Sequence, residues 1–275
     1  MHAVVIGAGI AGLATAALLG REGYEVTVVD SLDEVGGRAG SFAEDGFRWD
    51  TGPSWYLMPE AFDHFFALCG TSTEAELDLV DLSPAYRVFH GDAPVDVRSG
   101  IEEVTALFES LEPGAGDKVR QYLAQASDTY DMALKHFLYT TFSAPLNLVH
   151  RDIRTRLSRL VALLSANLQQ HVGRSFADAR LRQILSYPAV FLSSEPAAAP
   201  ALYSLMSHTD LVEGVRYPQG GFAAVVQAVY RQAKKFGATF RLGEEVTSIK
   251  VSNRQVTGVR TNKGAIHADI VVSAA

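Results

Sequence analysis

The chain has 275 residues, 48% of them hydrophobic and 20% charged, with 24 basic against 31 acidic side chains. That balance fits a folded globular protein of two lobes and excludes a disordered tail, a collagen or a coiled coil. A net charge of −7 argues against a nucleic-acid partner, and no block of five like charges offers a polybasic membrane tether. The single cysteine, Cys69, excludes an internal disulfide and thiolate-held zinc or iron–sulfur centres. It fits a buried thiol in a reducing, cytoplasmic compartment.

Positions 3–20 carry no charge, yet no basic segment precedes them and Gly7, Gly9 and Gly12 interrupt them, which argues against a signal peptide or a membrane span. Ala3–Ile6 instead reads as a buried strand and Ile10–Leu19 as a helix ended by Gly20 and Gly23. Glu25–Val29 reads as a second strand, and this β–turn–α–turn–β order predicts a right-handed parallel crossover. Residues 33–58 hold five glycines and Pro53, which predicts a loop-rich segment around one short strand, Phe47–Asp50. Pro59–Cys69 is expected to be helical, with Phe62, Phe65, Phe66 and Leu68 on its apolar face.

In the middle of the chain, Gln183–Thr209 holds one formally charged side chain, Glu195, and Pro188, Pro196 and Pro200 rule out a single spanning helix there. His136–His150 is also poor in charge. Two readings stay open for both stretches: core helices of a second domain, or the lining of an apolar tunnel or membrane-dipping face. The last forty residues return to strands at Glu245–Val251, Gln255–Thr261, Ala265–His267 and Ile270–Ser273. A buried parallel strand so near the last residue leads us to expect part of a longer chain or a split gene product.

Gly7-Ala8-Gly9-Ile10-Ala11-Gly12 follows the first strand and opens the first helix. This is the spacing that allows a tight turn, close approach of backbone to a pyrophosphate, and close packing of helix on strand. Asp30 ends the second strand 18 residues beyond Gly12, where a carboxylate meets a ribose 2′-hydroxyl and opposes the 2′-phosphate of NADP. Gly36-Gly37-Arg38 adds backbone donors and a forked guanidinium.

The segment from Val4 to Phe42 resembles the FAD-binding fold of the two-dinucleotide-binding-domain flavoproteins. Arg48-Trp49-Asp50-Thr51-Gly52-Pro53-Ser54, Ala201–His208 and Gly214–Phe222, with its Tyr217-Pro218-Gln219-Gly220-Gly221 core, are similar to segments of the carotenoid desaturases of the bacterial phytoene desaturase type. The resemblance covers the whole sequence. It departs from the family in having Asp30 where glutamate is commoner, and in lacking the family's C-terminal flavin-contacting segment.

The resemblance implies an α/β fold, with a Rossmann-like FAD domain formed by residues 1–70 and 213–275 and an inserted, mainly helical substrate and membrane-associating domain at 71–212. It implies FAD contacts at Gly7, Ala8, Gly9, Ile10, Ala11, Gly12, Asp30, Ser31, Gly36, Gly37, Arg38, Gly52, Pro53, Ser54 and Val246, the last against adenine. The activity it implies is desaturation of a carotenoid precursor, phytoene toward lycopene, by hydride transfer to flavin and proton loss. Quinone or oxygen would be the electron acceptor, and association with the membrane would be peripheral.

Asp152 and Arg154 are the charged candidates beside the apolar stretches. Asp152 would steady positive charge or accept the proton; the alternative is a solvated helix start at 151–156. The histidines show no metal-ligand spacing, and no Gly-x-Ser-x-Gly elbow supports hydrolase chemistry. A flavin amine oxidase and a non-catalytic binder of the GDP-dissociation-inhibitor kind share the glycine motifs. Within the family, C30 desaturase, saturase, isomerase and ketolase chemistry stay open.

Overall fold

The computed structural model describes residues 1–91, 93–139 and 151–275, apart from the side chains of Ala93, Arg151 and Asp152. In chain order come β1 (His2–Ile6), α1 (Ile10–Arg21), β2 (Glu25–Val29), β3 (Ser41–Glu44), β4 (Phe47–Asp50), α2 (Pro59–Leu68) and α3 (Thr73–Glu76). They are followed by β5 (Leu79–Asp81), β6 (Tyr86–His90), β7 (Ala93–Val97), α4 (Ile101–Leu111) and α5 (Ala115–Ala133). Then come α6 (Arg151–Thr155), α7 (Leu157–Ser165), α8 (Leu168–Gly173) and α9 (Ala179–Ser186). The last stretch holds β8 (Arg216–Pro218), α10 (Phe222–Lys235), β9 (Thr239–Arg241), β10 (Val246–Ser252), β11 (Gln255–Thr261), β12 (Gly264–His267) and β13 (Ile270–Ser273). The elements form two compact units, residues 1–80 with 216–275, and residues 81–215.

The first unit is built on a parallel sheet in the order β13-β1-β2-β9. Its central strands are rich in buried apolar residues, Ala3, Val4 and Val5 in β1 and Val26, Val28 and Val29 in β2, because both faces are covered, as parallel sheets require. Val5, Val26 and Val28 face a core shared with Leu13 and Ala17 of α1, Phe66 of α2, and Val225 and Val229 of α10. Val4 and Val29, one residue out of phase, pack instead with Val259 of β11 and Ile266 of β12. These last two belong to the antiparallel sheet β10-β11-β12.

The 33–58 segment contains more order than its composition predicts. Ser41–Glu44 pairs with Phe47–Asp50 as a hairpin across Asp45-Gly46. Both turn residues have positive φ, 50° and 82°, the turn that suits the twist of two paired strands. Four residues between glycines carry too little periodicity to mark β3 from sequence.

The second unit is mainly helical among the described residues and includes a hairpin, β6–β7, that the sequence pattern did not signal. Its core gathers Phe108, Leu123, Leu168, Val172, Phe176 and Leu181, with the Phe108 and Phe176 rings edge to face at 5.6 Å. Within the charge-poor 183–209 stretch, Ile184, Leu185, Ala189, Ala199 and Ala201 are buried in this unit, whereas Val190 and Phe191 are exposed. Of the other charge-poor stretch, residues 140–150 lie outside the described residues. Among the described residues, no helix is long and apolar enough to cross a membrane.

A buried acid marks this unit. Asp210, on a single π-helical turn (Thr209–Glu213), is 1% exposed. Its Oδ2 accepts the Tyr86 hydroxyl at 3.1 Å, while its Oδ1 has no hydrogen-bond partner among the described residues. Burial pushes its carboxyl up to about 7. In the unfolded chain the same group releases its proton near pH 4. Between those values the folded state holds the extra proton, so stability falls as pH rises from about 4 through about 7. Urea unfolding at pH 5 and pH 8 is expected to give the higher midpoint at pH 5, and Asp210→Asn is expected to remove most of the difference. An unchanged pH slope in that variant would show that the dependence comes from other groups.

Candidate functional site

The turn after β1 and the start of α1 form a cradle of main-chain groups. Gly7 N–H donates to Val29 O at 2.8 Å, fixing the turn to the end of β2. The helix then starts at Ile10 with no side-chain cap and no acid in its first turn. Leu13 N–H bonds back to Gly9 O at 2.9 Å. Ahead of it lies a helix N-terminus whose free donors and dipole suit an anion. A Cβ on Gly12 would lie 1.9 Å from Gly7 O, so only glycine lets the helix sit this close to the turn.

Asp30 holds that turn from the side. Its Oδ2 accepts Ala8 N–H at 2.6 Å and its Oδ1 accepts Leu32 N–H at 2.8 Å. A carboxylate offers about four lone-pair positions, so roughly two stay open to a ribose hydroxyl. The backbone around Asp30 is clasped in turn by the returning segment. Asp30 N–H donates to Arg241 O at 3.1 Å, and Glu244 N–H donates to Asp30 O at 2.8 Å. The Glu244 side chain is buried, accepting Arg241 Nε at 2.8 Å and the Thr261 hydroxyl at 2.5 Å. Ser31, next in the loop, is exposed. Val246 opens β10 half-buried, in the cluster of Val4, Val29 and Val259.

The second glycine loop lies against the first. Gly36 N–H donates to Ala8 O at 2.9 Å, and Gly9 and Gly36 form a parallel bridge. Gly37, Arg38 and Ala39 make a single 3-10 turn. The Arg38 side chain is exposed and has no hydrogen bond or ion pair among the described residues. Gly52 packs on this turn so tightly that a Cβ there would fall 2.0 Å from Arg38 O. Thr51 N–H donates to Gly40 O at 3.0 Å. Pro53 and Ser54 follow on the surface. Gly7–Gly12, Asp30, Gly36–Arg38 and Gly52 are therefore brought together at the ends of β1 and β2, with Ser31, Pro53 and Ser54 exposed next to them in sequence. Their open backbone donors and glycine-lined approach fit the diphosphate of a dinucleotide, the group that FAD carries.

Asp50 was missed as a functional position. Its carboxylate accepts the N–H groups of Phe222 at 3.0 Å and Ala223 at 3.3 Å, the first residues of α10, just past Gly220-Gly221. An acid at this end of a helix meets both the free donors and the positive end of the dipole. The Trp49–Pro53 and Tyr217–Gly221 segments, about 170 residues apart, are thus two halves of one contact. The signal was present as an acid in one glycine-proline segment and a helix start after the other, but nothing in the sequence paired them. Alongside lies a cleft of about 520 Å³, whose walls include Glu34, Ser41, Arg48, Gln227 and Tyr230.

The two catalytic candidates are not among these residues. Arg154 is exposed on α6, in the other unit, and the Asp152 side chain lies outside the described residues. In that unit the 183–197 stretch lines a cleft of about 710 Å³ in which His90, Arg182, Gln183 and Glu195 share the walls with Tyr187, Val190 and Pro196. This wall is mixed, where an apolar tunnel would be hydrocarbon throughout.

Two substitutions separate the cradle from the contact behind it. Gly12→Ala is expected to displace α1 from the turn, lowering the thermal midpoint and abolishing FAD uptake in a fluorescence titration. Asp50→Ala is expected to cost about 1 kcal/mol, as loss of a helix cap does, read as a lower urea midpoint with the same denaturant slope. A Gly12→Ala protein that melts and binds FAD like the parent would remove the close approach from the account.

Comparison with known proteins places the chain in a family. A family described as flavin containing amine oxidoreductase matches residues 10–275. A carotenoid 3,4-desaturase of Haloarcula japonica is 37% identical over 269 residues, 98% of this chain and 54% of its own length. A phytoene dehydrogenase of Streptomyces griseus is 38% identical over 275 residues, 98% of this chain and 53% of its own. The chain thus spans about half the length of these curated relatives. An oxidoreductase of Methanosarcina mazei shares the fold, with a TM-score of 0.63 at 22% identity over 99% of this chain and 58% of that one. With the match running from the first turn of α1 to the last residue described, the chain belongs to the flavin containing amine oxidoreductase family.

Proposed function

We propose that the protein takes part in FAD-dependent desaturation of a carotenoid precursor, with phytoene as the first substrate to test. The observation that carries this reading is the 37–38% identity to a carotenoid desaturase and a phytoene dehydrogenase over 98% of the chain. When bound, FAD supplies a two-electron oxidant that takes hydride from a C–H bond.

The chain's own residues do the holding. The N–H groups at the start of α1 would take the diphosphate, and the open lone pairs of Asp30 a ribose hydroxyl. Arg38 would offer its forked donors to phosphate or flavin. The negative charge of Asp30 disfavours a 2′-phosphate, so FAD is preferred to an NADP-like ligand. A hydrocarbon substrate gives no polar handle, so its binding needs apolar walls and delivery from lipid, which makes peripheral membrane association part of the proposal. Quinone or oxygen would reoxidise the flavin. The match to an amine oxidoreductase family supports one rival, oxidation of an amine by the same cofactor.

The test uses protein expressed from its complete reading frame, supplied with FAD and mixed anaerobically with phytoene in phospholipid vesicles. Bleaching of the oxidised flavin with new long-wavelength polyene bands is the expected result. A flavin that stays oxidised with phytoene and bleaches with amines would replace the proposal by the amine reading. Failure to take up FAD at all would favour a non-catalytic binder.

A further inference from the structure

The geometry points to a redox site built from the chain's own side chains in the helical unit, separate from the proposed desaturation. Tyr86 gives up an electron and passes its phenol proton to Asp210, while Tyr187 carries the electron to a small one-electron oxidant, such as a peroxyl radical. An isolated phenol resists oxidation, because the cation left behind is a strong acid that needs a proton acceptor at once. Tyr86 has one within hydrogen-bond reach: its hydroxyl donates to Asp210 Oδ2 at 3.1 Å. Asp210 is sealed from water, and its Oδ1 makes no hydrogen bond among the described residues. A carboxylate taken out of water is a stronger base than one in solvent. Burial, with Asp210 alongside, also holds the Tyr86 phenol well above its ordinary range. Tyr86 therefore does not release a proton alone; the proton leaves when the electron does.

The way out runs through the rings. Tyr86 stacks on Tyr187 with centroids 5.5 Å apart and planes 20° from parallel. Overlapping ring faces let an electron cross without either side chain moving. Tyr187 also lines the cleft of about 710 Å³, together with Gln183, Ser186 and Val190. An oxidant that enters this cleft meets one phenol ring a single contact away from the other. All of these residues lie between 81 and 215, so the site is complete within one compact unit. The step balances with no further reactant. The Tyr86 phenol and the Asp210 carboxylate become a neutral phenoxyl radical and a neutral carboxylic acid, and the oxidant gains one electron. The hole settles on Tyr86 because its proton has moved. An external one-electron donor restores the pair, with the proton returning from Asp210.

To test this, the full chain is mixed with the one-electron oxidant hexachloroiridate(IV) at pH 8, above the value of about 7 to which burial pushes the Asp210 carboxyl. Samples are freeze-quenched for electron paramagnetic resonance, and the visible absorbance of the tyrosyl radical is followed in parallel. The parent protein is expected to give a neutral tyrosyl signal that forms more slowly in deuterium oxide, because proton and electron leave together. Tyr86→Phe removes one oxygen and keeps the ring stack, and is expected to lower the yield severalfold. Asp210→Asn keeps the shape of the acid but cannot take the proton, and is expected to lower the yield severalfold with Tyr86 still present. Tyr187→Phe is expected to slow formation severalfold with less effect on the final yield. A parent that forms no tyrosyl radical, or forms it equally fast in deuterium oxide, would overturn the proton-coupled pair whatever the variants do. A parental yield from Tyr86→Phe would remove Tyr86 as the donor, and a parental yield from Asp210→Asn would remove Asp210 as the acceptor. A parental rate in Tyr187→Phe would overturn the route through the cleft.

Discussion

The carboxylate of Asp30 ties together segments that are remote in sequence. One oxygen fixes the turn after β1, the other the loop after β2, and the backbone of the same residue is held on both sides by Arg241 at the end of β9 and Glu244 just beyond it. Two acceptor oxygens and one peptide unit thereby set the relative positions of residues 8, 32, 241 and 244. The glycine cradle can leave its own donors unused because its shape is enforced from outside by this residue. An acid at the end of β2 thus has structural work to do before any ribose arrives. Aspartate, one methylene shorter than glutamate, keeps its carboxylate close to its own strand, where Ala8 N–H lies.

A second long-range tie has the same logic. Asp50 ends the hairpin strand β4 and reaches the first amides of α10, and α10 packs against α1 through Val225 and Val229. The hairpin, the second glycine loop and the helix behind the sheet are therefore mechanically connected. The close contact of Gly52 with the Arg38 carbonyl carries that connection to the exposed guanidinium.

What the sequence made legible was what local spacing encodes. The strand, glycine turn, helix and second strand could be read from residues 3–29 because each obeys a periodicity and a turn rule within a dozen residues. The returning strands were legible for the same reason. Partners chosen across long distances were not. β9 is three residues long and joins β2 only because the chain returns to it, and Asp50 looked like one polar residue among several. The 183–209 stretch shows a further limit. Low charge marks burial, and Ile184 and Ala201 are buried, but it does not say whether neighbouring apolar residues such as Val190 line a channel, face solvent or meet a partner. That question is answered by which side of a turn each residue occupies, and the short 3-10 turns at Tyr187–Leu192 and Ala201–Met206 set this residue by residue.

The order of strands in the parallel sheet has a consequence for how the molecule is made. β1 lies between β2, which follows it within 25 residues, and β13, whose Ile270 pairs with Ala3. On the ribosome the amino-terminal half of this sheet emerges first and must wait for partners encoded more than 200 residues later. Residues 81–215 intervene as one contiguous unit. At a synthesis rate of about 5–20 residues per second, that insertion keeps β1 and β2 waiting for roughly 7–30 seconds. During that interval Val4 and Val29 have neither β11 nor β12 to cover them. The nascent sheet therefore spends its early life with one hydrophobic face open, while the contiguous insertion gathers a core of its own from residues 86–212. For this architecture, the strands made early depend for their cover on residues made late.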